Sequence, residues 1–350
     1  MQNIIRQNII IQIIWKITLV NTAFFLTSCT CQKSLTLKYT NPVWDGSLAD
    51  PHVLFTNGYY YAYGTGQTED GSRFPILKSS DFANWQFVGG ALKPLTDPNL
   101  NLYWAPEVVA YNSKYYLYYA GDMKMRVAVS EHPEGPFEDA GVLLFPDLEF
   151  SIDGHPFWDP VSGKWYLFFA RDFFDQRPGT ALAVVELGND MLSTRGPINT
   201  VMRAFADWQI YERSRNLYDR LWPAWYTVEG PFVIYKNGQY YCFYSGGNWQ
   251  TKGYGVGCGI SDKVIGPYKD SWSKKSASVL STIPNKLIGP GHNSVILGPD
   301  NETYFIVYHS WNTQQTARQM CIDPIVWTKN GPKCYKPSRE TKVINLPLAD

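Results

Sequence analysis

The chain has 350 residues, 45% hydrophobic and 16% aromatic, with 31 basic and 31 acidic side chains and a formal net charge of +0. That length and apolar share can bury a substantial core, and the balanced charge speaks against a nucleic-acid partner. After the N-terminus no long stretch has helical periodicity, whereas 24 Tyr, 18 Phe, 13 Trp, 28 Gly and 23 Pro fit aromatic strands joined by many tight turns.

At the N-terminus, Arg6 and Lys16 flank an apolar run that ends near Leu26, followed by Leu26-Thr27-Ser28-Cys29. The run is short and interrupted by Asn21 and Thr22, which argues against a stable membrane span. It resembles a bacterial lipobox. That predicts a lipoprotein-type signal peptide over 1–28, a lipid on Cys29, a tether over 29–40 and one domain over 41–350. The expected setting is export to the bacterial cell envelope, with the membrane reached only through the lipid anchor. Cys31, Cys242, Cys258, Cys321 and Cys334 lack the paired spacing of a zinc site. Cys321 with Cys334, or Cys242 with Cys258, are read equally well as disulfides or as free thiols.

From Ala49 onward one phrase recurs: a small or polar start, a short apolar strand, a turn, then an aromatic strand. It reads ADPHVLFTNGYYYAYG from Ala49, APEVVAYNSKYYLYYAG from Ala105 and HPFWDPVSGKWYLFFAR from His155. It returns as GPFVIYKNGQYYCFYSG from Gly230 and NSVILGPDNETYFIVYHS from Asn293. After each copy comes a third strand and, past a turn, a fourth: Phe74–Ser80 then Asn84-Trp85, Met125 onward, Thr180 onward, Tyr254 onward and Arg318 onward. Four short strands repeated five times predict an all-β, five-bladed β-propeller of four-stranded blades. A sandwich does not account for the repetition.

The first strand of a propeller blade lies nearest the axis, so residues at its entry converge although they are far apart in sequence. Asp50, Asp153 and Glu229 fall at such entries, and His292 holds the corresponding place in the fifth copy. An Asp before Pro is ordinarily a turn former, but recurrence at blade entries points to a shared cavity. Carboxyl groups crowded in a partly desolvated pocket raise one another's pKa, which suits proton donation and removal. Trp104, beside the second entry, fits core packing and sugar stacking alike. Glu107 and His155 are read as supporting neighbours, and His52 as facing the adjoining blade.

Five phrases then carry a resemblance: Ala49-Asp50-Pro51-His52, Trp104-Ala105-Pro106-Glu107, Ile152-Asp153-Gly154-His155, Glu229-Gly230-Pro231-Phe232 and Gly289-Pro290-Gly291-His292-Asn293. In this order, one per repeat, the chain resembles glycoside hydrolase family 43, five-bladed propellers acting on arabinose- and xylose-containing plant polysaccharides. The resemblance implies an inverting glycosidase with Asp50 as general base, Glu229 as general acid and Asp153 tuning and orienting the acid. It implies Trp104, Arg318 and His155 near the substrate, and His292 holding a structural calcium ion in the central channel, through water, with no organic cofactor. Three loops, 67–73, 171–179 and 207–225, are expected to shape the pocket. The expected activity is that of an exo-acting α-L-arabinofuranosidase, with β-xylosidase or endo-arabinanase as alternatives. A non-catalytic carbohydrate-binding propeller is the reading from a different class. Retaining fructan-cleaving propellers place Asn before their nucleophilic Asp, where this chain has Ala49.

Overall fold

The aromatic runs form strands buried on both faces. Tyr60–Tyr63 and Tyr115–Gly121 are buried throughout, without the in–out alternation of a half-exposed sheet. The computed structural model describes residues 34–96 and 100–347, so the expected signal peptide and Cys29 lie outside the described residues.

The described chain is all-β apart from one short 3₁₀ turn. β1 (Ser34–Thr40) comes first. Unit one is β2 (Ala49–Thr56), β3 (Tyr59–Thr65), β4 (Arg73–Ser79) and β5 (Gln86–Leu92). Unit two is β6 (Tyr103–Tyr111), β7 (Lys114–Gly121), β8 (Lys124–Ser130) and β9 (Glu138–Leu143). Unit three is β10 (Ser151–Asp159), β11 (Lys164–Phe173), β12 (Gly179–Leu187) and β13 (Thr194–Met202). Unit four is β14 (Ile210–Leu217), β15 (Arg220–Lys236), β16 (Gln239–Gly246) and β17 (Gly255–Ser261). Unit five is β18 (Ile288–Leu297), β19 (Tyr304–Trp311), β20 (Arg318–Thr328) and β21 (Gly331–Cys334), and β22 (Thr341–Pro347) ends the described chain.

Within units one, two, three and five, successive strands pair antiparallel. Unit four departs from this pattern. Its expected fourth strand shrinks to a bridge between Ile260 and Lys269. Its first strand, β15, is extended at the N-terminal end, where it pairs with β14 as a hairpin. β12 also runs parallel to β15 at Gly179↔Tyr226 and Thr180↔Thr227. A side chain at Gly179 would put its Cβ 2.1 Å from the Tyr226 carbonyl oxygen, so this junction requires glycine.

The first strands of the units touch in a cycle: β2 against β6, β6 against β10, β10 against β15, β15 against β18, and β18 back against β2. A hydrophobic cluster fills each junction. Ile76 and Tyr63 meet Val108 and Leu117, Val127 meets Leu167 and Phe169, and Phe168 and Leu182 meet Val228 and Tyr244. Phe243 and Val256 then meet Ile306 and Tyr308, and Val307 and Ile322 meet Val53 and Leu77.

One expectation changes here and one open alternative closes. Residues 34–40, expected as tether, form β1, paired antiparallel with β22 from Ser34↔Pro347 to Thr40↔Thr341. The cause is the alternation Leu35, Leu37, Tyr39, which packs Leu37, Tyr39 and Leu346 into the cluster between units five and one. Cys242, Cys258, Cys321 and Cys334 are free thiols.

Candidate active site

All five first strands carry the same irregularity. Pairing slips between Ala49 and His52, Trp104 and Glu107, Ile152 and His155, Glu229 and Phe232, and Gly291 and Ser294. At each slip two residues face one on the second strand, which is a β-bulge. The first bulge residue is left-handed every time: φ is 53° at Asp50, 48° at Ala105, 59° at Asp153, 56° at Gly230 and 46° at His292. Asp, Gly and His tolerate that region comparatively well. The bulges bring one or both of this residue and its predecessor to one space, so Asp50, Asp153 and His292 line a cavity of about 340 Å³ together with Trp104, Ala105, Ile152 and Glu229.

The sequence reading treats Asp50, Asp153, Glu229 and His292 as equivalent. The bulges correct this. Asp50, Asp153 and His292 share one position, whereas Glu229 lies one residue earlier, the position of Trp104. Where proline is second in the bulge, at Pro51, Pro106 and Pro231, the residue just before it is the first bulge residue, and Glu229 stands two before Pro231.

Neighbouring units hold the bulges. The backbone N–H of Ala105 donates to Thr65 Oγ1 at 2.7 Å, that of His292 to Ser245 Oγ at 2.7 Å, and that of Asp50 to His309 Nδ1 at 3.1 Å. The Gly230 N–H donates to Asp153 Oδ2 at 3.0 Å. A strained backbone next to a cavity is thereby fixed by side chains of the unit before it.

The carboxyl groups sit in opposed environments. Asp50 is 7% exposed. Burial alone would raise its pKa, but the Arg318 guanidinium, with Nη1 at 3.0 Å from Oδ1, and His292, with Nδ1 at 3.5 Å, hold it well below the usual carboxylate range. His309 Nδ1 also lies 3.2 Å from Oδ1, an ion pair only for a protonated ring. Burial pushes His309 down to about 4, so its lone pair accepts the Asp50 N–H instead. Glu229 and Asp153 are both pushed up, first by burial and then by other carboxylates, those of Asp153 and Asp50 for Glu229 and those of Asp50 and Glu107 for Asp153. Tyr254 Oη donates to Glu229 Oε1 at 2.7 Å. One cavity thus holds a carboxylate kept ionised and a carboxyl kept protonated, the two components of acid–base chemistry.

Beneath lies a second layer, two residues beyond each bulge start: His52, Glu107, His155, Phe232 and Ser294. These residues bridge the units. The N–H of Val53 reaches Ser294 Oγ at 3.3 Å, that of Val108 reaches His52 Nδ1 at 3.3 Å, and that of Val233 reaches His155 Nε2 at 3.0 Å. At the corresponding site in unit three stands Pro156, which has no N–H, so Glu107 Oε2 takes His155 Nδ1 at 2.8 Å and stands 3.7 Å from His52 Nε2. His155, expected near the substrate, is therefore corrected. Both its ring nitrogens are engaged, it is 4% exposed, and it does not line the cavity. Arg318 and Trp104 do line it. The Arg318 guanidinium lies 4.5 Å over the Trp249 ring, and Trp249 stacks on Trp311.

The β14–β15 hairpin supplies a wall through Tyr211, Arg215, Leu217, Tyr218 and Trp225. Tyr218 Oη donates to Asp172 Oδ2 at 2.6 Å, and Thr180 Oγ1 donates to Oδ1 at 2.8 Å. Phe174 packs against Tyr218 and Trp222. The loops 171–179 and 207–225 thus meet the expectation, whereas 67–73 contributes no lining residue. Tyr254, Trp249, Asp172 and His309 were not singled out from sequence. Tyr254 opens a third strand of a unit, where the repeat gives no cue to an inward hydroxyl.

For the expected central ion, the described residues gather no cluster of three or more His, Cys, Asp or Glu donors. Side-chain ligation by three or more of those residues therefore does not fit. His292 lines the cavity beside Asp50, Asp153 and Glu229, and both amide atoms of the adjoining Asn293 are buried without a protein partner. That set fits an ion held mainly through water.

Residues 39–332 match the glycosyl hydrolases family 43. The chain is similar to β-D-galactofuranosidase xynD of Aspergillus niger, 29% identical over 84% of this chain and 84% of that protein. It is also similar to extracellular endo-α-(1→5)-L-arabinanase 1 of Bacillus subtilis, 25% identical over 81% and 87%. Among solved structures, an endo-1,4-β-xylanase from Bacteroides thetaiotaomicron superposes with a TM-score of 0.70 at 30% identity, covering 89% of this chain and 100% of that one.

Proposed function

The chain belongs to glycosyl hydrolase family 43 and is an inverting glycoside hydrolase, and from that premise we propose that it releases terminal α-L-arabinofuranosyl residues from plant polysaccharides or oligosaccharides. The observation that carries this reading is the opposed pair in one cavity: Asp50 bound to Arg318, and Glu229 buried beside Asp153. Asp50 is the general base and Glu229 the general acid, while Asp153 keeps Glu229 protonated and holds the Gly230 backbone beside it. As the bond from the anomeric carbon breaks, its electron pair goes to the leaving oxygen, which takes the Glu229 proton. Water adds to the opposite face of that carbon and gives its proton to Asp50.

The five-bladed propeller belongs to this reading. Its support is the cycle of first strands, the five filled junctions and the five bulges. β1 and β22 add a pair outside the blades.

Exo-action is supported by the β14–β15 wall and its Tyr218–Asp172 bond. A furanoside substrate is supported by two relatives whose names end in galactofuranosidase and arabinanase. The rings of α-L-arabinofuranose and β-D-galactofuranose share their configuration and differ in the exocyclic tail. The xylanase name favours β-xylosidase as second reading. Comparing nitrophenyl α-L-arabinofuranoside with the β-D-xyloside and β-D-galactofuranoside decides the sugar. Fastest turnover of the arabinofuranoside is expected, and faster turnover of either other substrate overturns that choice. Sugar binding without hydrolysis of any glycan would leave only a binding propeller.

A water-held calcium on His292 would supply positive charge to the acid-lined channel. Active protein with no calcium by elemental analysis would exclude it. Export and lipid attachment at Cys29 are supported by Leu26–Cys29 and by the relative named extracellular. Cys29→Ser should release the protein from membranes, and its retention there would count against lipidation.

A further inference from the structure

We propose that Tyr254 is a positioning residue that fixes which oxygen of Glu229 carries the transferable proton. The inference rests on Glu229 being the acid. Tyr254 is 1% exposed, lines the cavity and donates from Oη to Glu229 Oε1 at 2.7 Å. Among the described residues Oη has no other hydrogen-bond partner. If Glu229 donated to Oη instead, the tyrosine's own proton would be buried without an acceptor, a costly arrangement. The hydroxyl therefore donates, Oε1 accepts, and the carboxyl proton sits on Oε2. Burial and the nearby Glu229 push the Tyr254 pKa well above the ordinary phenol range, so it remains a donor.

The ring is fixed as firmly as the hydroxyl. It stacks on His309, with centroids 5.9 Å apart and planes 8° from parallel. On another side lies Gly291, whose Cβ, if present, would stand 2.1 Å from Tyr254 Cε1. His309 in turn accepts the Asp50 N–H. Base and acid are thus set from one stacked pair, His309 holding the backbone of Asp50 and Tyr254 holding one oxygen of Glu229. When Oε2 gives up its proton, the Tyr254 bond becomes charge-assisted and strengthens, so its effect is felt mainly in the transition state.

The test is Tyr254→Phe, which keeps the stacked ring. On glycosides with poor leaving groups kcat should fall about 10–100-fold, the worth of one hydrogen bond to a charged group, with KM little changed. On aryl glycosides whose leaving group needs no proton the fall should be far smaller. The alkaline limb of the pH profile should move up, because a bond favouring the Glu229 carboxylate is gone. 3-Fluorotyrosine at position 254, a stronger donor of nearly the same shape, should move that limb down and covers the case in which the Phe variant folds poorly. A loss equal on both substrate classes, or limbs that stay in place, would overturn the proposal. Glu229→Gln separates the two layers. If it shows the leaving-group split and Tyr254→Phe does not, only the positioning role falls. If Glu229→Gln shows no split, the acid assignment falls and this inference with it.

Discussion

Asp50 and Glu229 differ in environment more than in chemistry. Asp50 touches a guanidinium, whereas Glu229 shares a buried space with another carboxyl. Activity needs Asp50 ionised and Glu229 protonated. It should therefore persist to low pH, because Asp50 is held down, and fall as pH rises through about 8, where Glu229 loses its proton. Arg318→Gln should move the acid limb up by removing the largest charge that holds Asp50 ionised. Asp50→Asn should lower kcat by about 10²–10⁴, the usual worth of a general base. An acid limb unmoved by Arg318→Gln, or near-normal turnover in folded Asp50→Asn, would detach Asp50 from this role. The acids are legible in the sequence because they recur near the start of the repeated phrase. Tyr254 and His309 are not, since their roles arise from a stack between two different units. His155 misleads because its phrase matches, and only the missing N–H of Pro156 explains why Glu107 turns to it.

At the scale of elements, the bulge is the device and the hairpin the variation. All five bulges reach the cavity, with two residues each in units two and three and one each in units one, four and five, and chemistry follows from which residue fills each position. Taking Glu229 as equivalent to Asp50 misplaces it by one, because Gly230 is the residue that opens the bulge defined by pairing across the strands. The β14–β15 hairpin reads in sequence only as a long insert rich in Trp, Tyr and Arg. Its pairing, with Arg213 opposite Ala224, makes it a rigid wall. Replacing 214–223 by Asn-Gly would keep that pair and close a two-residue hairpin. The full chain should release single sugars from linear arabinan, and the shortened enzyme oligosaccharides. Chromatography of early products reads this, and monosaccharide as the sole product of the shortened enzyme would mean that the hairpin does not set exo-action.

Across the whole molecule, repetition is what makes the fold readable. Five copies of one phrase announce five sheets, and sheets buried on both faces need partners on both sides. The pairing of β1 with β22 escapes a reading by repeats. Each strand is short and belongs to no copy, and the partners lie at opposite ends of the described chain. The reduced outer strand of unit four escapes it too, because Ile260↔Lys269 leaves no run to detect. What the arrangement accomplishes is to set an ionised carboxylate and a protonated carboxyl on different, non-adjacent first strands around one cavity. A single displacement follows, with no covalent sugar–enzyme intermediate. Proton NMR of the first turnovers on an activated glycoside tests this most directly. The anomer first seen should be opposite in configuration to the substrate, before mutarotation mixes the two. Early accumulation of the retained anomer would require a nucleophilic carboxylate about 5–5.5 Å from its partner, and would contradict Asp50 as a base acting through water.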